Sequence, residues 1–256
     1  MGHERLGVLP KSKRWVRIAE QITAFEDGST SAAEIAASTL LNVERRYVGI
    51  HEDAGVQAAF RFLCALSSGH EKLLAEQGVD LSENPSPVAL AGALKGKIRS
   101  SQGAAEYGGI AERAALDAIG WWVAKHGKPG LFGEPSASVV WAAASTGAAF
   151  STLAHKFFSK FTERYLNYFI DRVASGRMTS IQSREQLASD LSEHSEDIAT
   201  HALETARITQ SFAAGWYNKH LSGKEPDLST LKSFLAVAYG KLRDELLREV
   251  GLHDHT

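Results

Sequence analysis

The residues whose types and spacing could do chemistry lie between Ser183 and Phe212. Asp190, His194, Asp197, His201 and Glu204 recur at intervals of four, three, four and three, so a helix carries all five on one side. Carboxylates and imidazoles at that spacing are what a helix uses to hold a metal ion. His194 and His201 would stand about 10.5 Å apart along the axis, too far to grip one ion together. A metal centre would need ligands from a second helix, and no Glu-x-x-His motif stands elsewhere in the chain. The apolar seam of the same helix, Leu187, Leu191, Ile198, Ala202 and Phe212, sets the stripe beside the core and facing water. The simpler reading is a solvated acidic face. Six acids against Arg184 alone between Ile181 and Glu204 make it a surface for a basic partner.

A basic cluster opens the chain. Lys11, Lys13, Arg14 and Arg17 follow Arg5, with Glu4 the one acid among the first seventeen residues. Phosphate contacts from such a cluster give salt-dependent nucleic-acid binding, and Trp15 is placed to stack on a base. Trp15 also heads an apolar stripe with Ile18, Ala19 and Ile22, which directs it toward the core. Two aromatic pairs, Trp121-Trp122 and Trp216-Tyr217, pose a different question. Neighbours on a helix diverge by about 100°, so the two members of a pair face different surroundings: a second helix, a partner or solvent. Aromatic anchors of this kind are typical of interfaces. Cys64, between Leu63 and Leu66, lacks the electropositive setting that a nucleophile needs. No Gly-x-Ser-x-Gly elbow, P-loop or Gly-x-Gly-x-x-Gly fingerprint occurs.

The elements that must position these groups are helical nearly throughout, and alternating strand patterns are almost absent. Asp27-Gly28 stops a first helix, and Ser31 with Glu34 forms a capping box for a second. A third helix fits Ala54 to Ser67, ended by Gly69. Others fit Glu71–Gln77, Pro87–Ile98 and Ala104–His126, the last interrupted at Gly108-Gly109 for a kink or a close helix crossing. The Gly- and Pro-rich run Gly127–Pro135 is the clearest break. After it, Phe150, Leu153, Phe157, Phe161, Tyr165, Leu166 and Phe169 predict a central core helix ended by Gly176. A long helix over Ser183–Lys219 and a last one over Leu228–Val250, capped by Asp227 or Ser229, complete the chain.

The fold class that follows is all-α, a multi-helix bundle of roughly eight to ten helices. It divides into an N-terminal half, 1–128, and a C-terminal half, 129–256, as two packed helical subdomains or, more simply, one compact domain. With 256 residues, 44% hydrophobic and 23% charged, the chain is not disordered. Its net charge of −2 gives no global field for DNA or acidic lipid. The single cysteine excludes an intrachain disulfide framework, and with no apolar leader at the start a cytoplasmic setting is expected. Residues 135–154 carry no charge over a length close to a bilayer span, but alanine, serine and threonine dominate them, so a buried helix pair is expected rather than insertion.

The expected function is non-enzymatic binding of a macromolecule or assembly with one, without a cofactor. The working surfaces would be the aromatic and charged helix faces, and the partner a protein or a second copy, with nucleic acid an option for the basic first helix. The alternatives are a metal-binding helical bundle and a membrane-inserting effector using residues 135–154.

Overall fold

The computed structural model describes residues 12–101, 103, 105–128, 135–204, 212–224 and 226–251, without the side chains of 172, 202–204 and 249–251. Among the described residues there are eleven α-helices and no strand: α1 Lys13–Phe25, α2 Ala32–Val48, α3 Ala54–Ser68, α4 Glu71–Glu76, α5 Pro87–Ser100, α6 Gly108–His126, α7 Ala137–Ala142, α8 Gly147–Arg177, α9 Ile181–Glu204, α10 Phe212–His220 and α11 Leu228–Gly251. The chain is an all-α multi-helix bundle.

Local signals account for many of the boundaries. Ser31 and Glu34 close the expected capping box: Glu34 N–H donates to Ser31 Oγ at 3.2 Å and Ser31 N–H to Glu34 Oε2 at 3.0 Å. Such a cap contributes about 1 kcal/mol. Gly69 ends α3 at φ 63°, in the left-handed region. Asp227 caps α11 by accepting Thr230 N–H at 2.6 Å. Ser12 caps α1 through Trp15 N–H, whereas Pro10 lies outside the described residues.

Three boundaries differ clearly from the periodicity. α6 begins at Gly108 rather than passing through it. The reason is a close crossing, since a Cβ built on Gly55 of α3 would sit 2.5 Å from Gly108 Cα. Asp53 fixes that crossing. Its Oδ1 accepts Val56 N–H at 3.0 Å, capping α3, while Oδ2 accepts Tyr107 N–H at 3.0 Å just before α6. The expected helix over 183–219 is described as two, α9 and α10, with 205–211 outside the described residues. α8 runs one residue past Gly176. Residues 135–154 form the expected helix pair, α7 and the first turns of α8, and no helix among the described residues is long and apolar enough to cross a membrane.

The 31-residue helix α8 packs against α1, α2, α6, α9 and α10. One hydrophobic cluster runs through both halves of the chain. At its centre Phe60 meets Phe150, Phe157, Phe158 and Phe234 at ring distances of 6.1, 5.5, 5.4 and 5.2 Å. Tyr47 of α2 packs edge-on against Tyr165 of α8 at 5.2 Å and Tyr239 of α11 at 5.8 Å. Burial pushes the phenols of all three upward from their ordinary range.

Candidate functional site

α8 buries its N-terminal half, but its C-terminal half rises between neighbours that do not close over it. Three clefts meet there. The first, about 650 Å³, lies between α1, α2 and α8 and is lined by Arg14, Trp15, Asn42, Arg45, Arg46 and Tyr168, among others. The second, about 540 Å³, lies between the start of α6 and α8, with Tyr107, Arg113, Arg164, Asn167, Tyr168 and Asp171 in its walls. The third, about 200 Å³, separates α8 from α9 and takes in Asn167, Asp171, Ser175 and Arg184. Tyr168 is shared by the first two clefts, and Asn167 and Asp171 by the last two, so the second cleft joins the other two around the C-terminal half of α8.

Each wall is fixed by something in the sequence. Glu26, at the end of α1, accepts the N–H groups of Thr179 and Ser180 at 3.1 and 3.3 Å, tying α1 to the turn between α8 and α9. Trp15 is half-buried against the core, 6.1 Å from Phe169. Asp53, through Tyr107 N–H, sets the start of α6. Arg164 is held by Asp117 across α6 and α8, with Nε donating to Oδ2 at 3.2 Å. Glu163 is likewise engaged, accepting from Lys160 at 2.6 Å and from Ser192 Oγ at 3.0 Å.

Most of the cations of this face have no carboxylate partner among the described residues. Arg14, Arg45, Arg113 and Arg184 make no ion pair among the described residues. Among the described residues Arg46 pairs with Glu106, at 4.0 Å, with both side chains more than half exposed. Among the described residues, buried polar atoms of Asn42, Asn167 and Arg184 have no hydrogen-bond partner. Tyr168 is 47% exposed and stands edge-on to Phe169, with ring centres 5.0 Å apart. Burial raises the Asp171 carboxyl above its ordinary range. Burial also raises the Tyr107 phenol, with Glu106 adding to the effect. Chemically the face offers guanidinium donors, side-chain amides and aromatic rings.

The residues singled out from sequence fall on both sides of this division. Lys13, Arg14 and Arg17 are exposed on α1, and Arg14 lines the groove, while Lys11 lies outside the described residues. The aromatic pairs turn inward. Trp122 is 2% exposed and donates Nε1–H to Val140 O at 3.0 Å. Trp216 and Tyr217 are 8% and 3% exposed, because α10 is covered on both flanks: Trp216 meets Phe150 and Phe234, and Tyr217 meets Phe150. Trp121 is half-buried beneath the ammonium groups of Lys125 and Lys156, at 4.9 and 5.9 Å. Within the chain these pairs pack rather than project.

On α9, Asp197 and His201 are exposed, and Asp190 and His194 are half-buried. Asp190 accepts from Gln186 Nε2 at 2.6 Å. The side chain of Glu204 lies outside the described residues. Among the described residues no group of three or more His, Cys, Asp or Glu side chains is placed to share a metal ion. Cys64 is buried, and burial pushes its thiol well above the ordinary range.

Sequence reasoning passed over Arg45, Arg46, Arg113 and Tyr168. Lys156, Lys160, Arg164 and Tyr168 follow one another at intervals of four, so Tyr168 continues a polar row of α8 and not its apolar stripe. That spacing was the available signal.

Comparison with known protein families, with curated proteins and with solved structures finds no match for the chain.

Proposed function

We propose that this chain is a non-enzymatic, cytoplasmic binding protein that holds an acidic macromolecule along the C-terminal half of α8. The observation that carries the reading is the set of four arginines, Arg14, Arg45, Arg113 and Arg184, that make no ion pair among the described residues and line clefts along the half of α8 that carries the exposed Tyr168. The groove walls contribute Arg14, Arg45, Arg46, Arg113, Arg164 and Arg184 against Glu44, Glu106, Glu163 and Asp171. This face is therefore locally positive on a chain whose net charge is −2. Lys13 and Arg17 extend the positive field along α1.

Planar guanidinium groups suit phosphate and carboxylate alike, and they lose less entropy per hydrogen bond than lysine does. Heparin serves as a generic polyanion. The wild-type protein is expected to be retained on immobilised heparin and to elute at higher salt than the R14E/R45E variant. Co-elution of the two, with unchanged circular dichroism, would remove the groove from the function.

A further inference from the structure

We infer that the acidic macromolecule is a single-stranded nucleic acid, whose bases stack on Tyr168 and Trp15 while its phosphates meet Arg14, Arg45, Arg113 and Arg184. This rests on the reading of the groove as a polyanion site. Three features select a single strand from among polyanions.

Tyr168 stands where two clefts join, so a chain passing from one to the other crosses its exposed ring. Phe169 braces that ring edge-on at 5.0 Å, and Trp15 lies 6.1 Å from Phe169. An aromatic platform beside arginines gains from unpaired bases, every one of which has a stacking face. A duplex keeps its bases stacked on each other and offers none to Tyr168. An acidic peptide matches the arginines but has no systematic use for the rings.

The amides of Asn42 and Asn167 are the third feature. At the cleft walls, Asn42 Nδ2, a donor, and Asn167 Oδ1, an acceptor, are buried without a hydrogen-bond partner among the described residues. Carboxylate side chains can satisfy only donors. Base edges carry amino groups as well as carbonyls and satisfy both.

Fluorescence anisotropy with a labelled 20-nucleotide single-stranded RNA, its perfect duplex and a polyglutamate peptide separates the options. The single strand is expected to bind tighter than the duplex and the peptide at equal salt. Y168A is expected to weaken it roughly fivefold or more with the salt dependence unchanged, since stacking is lost and no charge is. R45A is expected to lower the slope of log Kd against log salt by about 0.7. Equal or tighter binding of the duplex or of polyglutamate, or an unchanged Y168A affinity, overturns the single-strand assignment and leaves the polyanion groove standing. A salt-sensitive dimer abolished by R45E also overturns it, giving the groove to the exposed acids Glu185, Glu193 and Asp197 of a second copy. No binding of any probe overturns both.

Discussion

Arg46 of α2 and Glu106, just ahead of α6, face each other at 4.0 Å where the first and second clefts open toward one another. An exposed pair at that distance contributes little to stability, between zero and about 1 kcal/mol. Its consequence is for binding, because Glu106 neutralises an arginine that would otherwise face the ligand. E106Q is therefore expected to tighten heparin binding about twofold at low salt and leave the thermal midpoint nearly unchanged. Titration calorimetry beside a melting curve checks both; a weaker-binding E106Q would mean that the pair organises the groove.

Asp53 ties the groove to the core. D53A removes the cap of α3 and leaves Tyr107 N–H without its acceptor, a combined loss on the order of 2–4 kcal/mol. Denaturant unfolding measures it. D53N keeps part of the cap and should fall between D53A and wild type.

Tyr47, Tyr165 and Tyr239 set the alkaline limit of the fold. Their folded-state pKa values are raised above the unfolded value of about 10, so their contribution is fully present below that pH and is lost as pH rises above it. Stability is expected to be flat near pH 9. It should then fall by roughly 4 kcal/mol per pH unit when three phenols ionise only on unfolding, at about 1.4 kcal/mol each. Absorbance at 295 nm and circular dichroism should change together; tyrosines that ionise while the helices persist would contradict the packing described.

Much of this fold was legible because its signals are local. The capping box of Ser31 and Glu34, the left-handed Gly69 and the Asp227 cap each involve residues within four positions of one another. The start of α6 was not legible. Gly108-Gly109 is marked as unusual by composition, but its partner Gly55 and its fixing carboxylate Asp53 are more than fifty residues away. Trp216-Tyr217 shows the same limit: divergence on the helix was read correctly, while the cover on both sides of α10 comes from Phe150 and Phe234. Of the site, only the α1 arginines stood out. Arg45 and Arg46 sit in the last turn of α2, where basic residues complement the helix dipole and draw no notice. The groove exists because α1, α2 and α6 converge on α8, which is a tertiary fact.

Trp15 should report occupancy. Trp122, Trp141 and Trp216 are buried and Trp121 lies beneath two lysines, whereas Trp15 lines the first cleft. Ligand-dependent quenching of tryptophan emission is expected in wild type and is expected to vanish in W15F. A W15F protein that still responds would locate the ligand elsewhere.

The polyanion groove itself is tested most directly by the salt dependence of heparin affinity in wild type and in R14E/R45E/R113E/R184E. These four arginines predict a slope of log Kd against log salt of about 3 for wild type, from about 0.7–0.9 per neutralised charge. In the variant the slope should fall by about 3, and affinity should fall at least tenfold at low salt. A variant with wild-type slope and affinity, and an intact helical spectrum, would contradict the assignment of the α8 face as the binding surface.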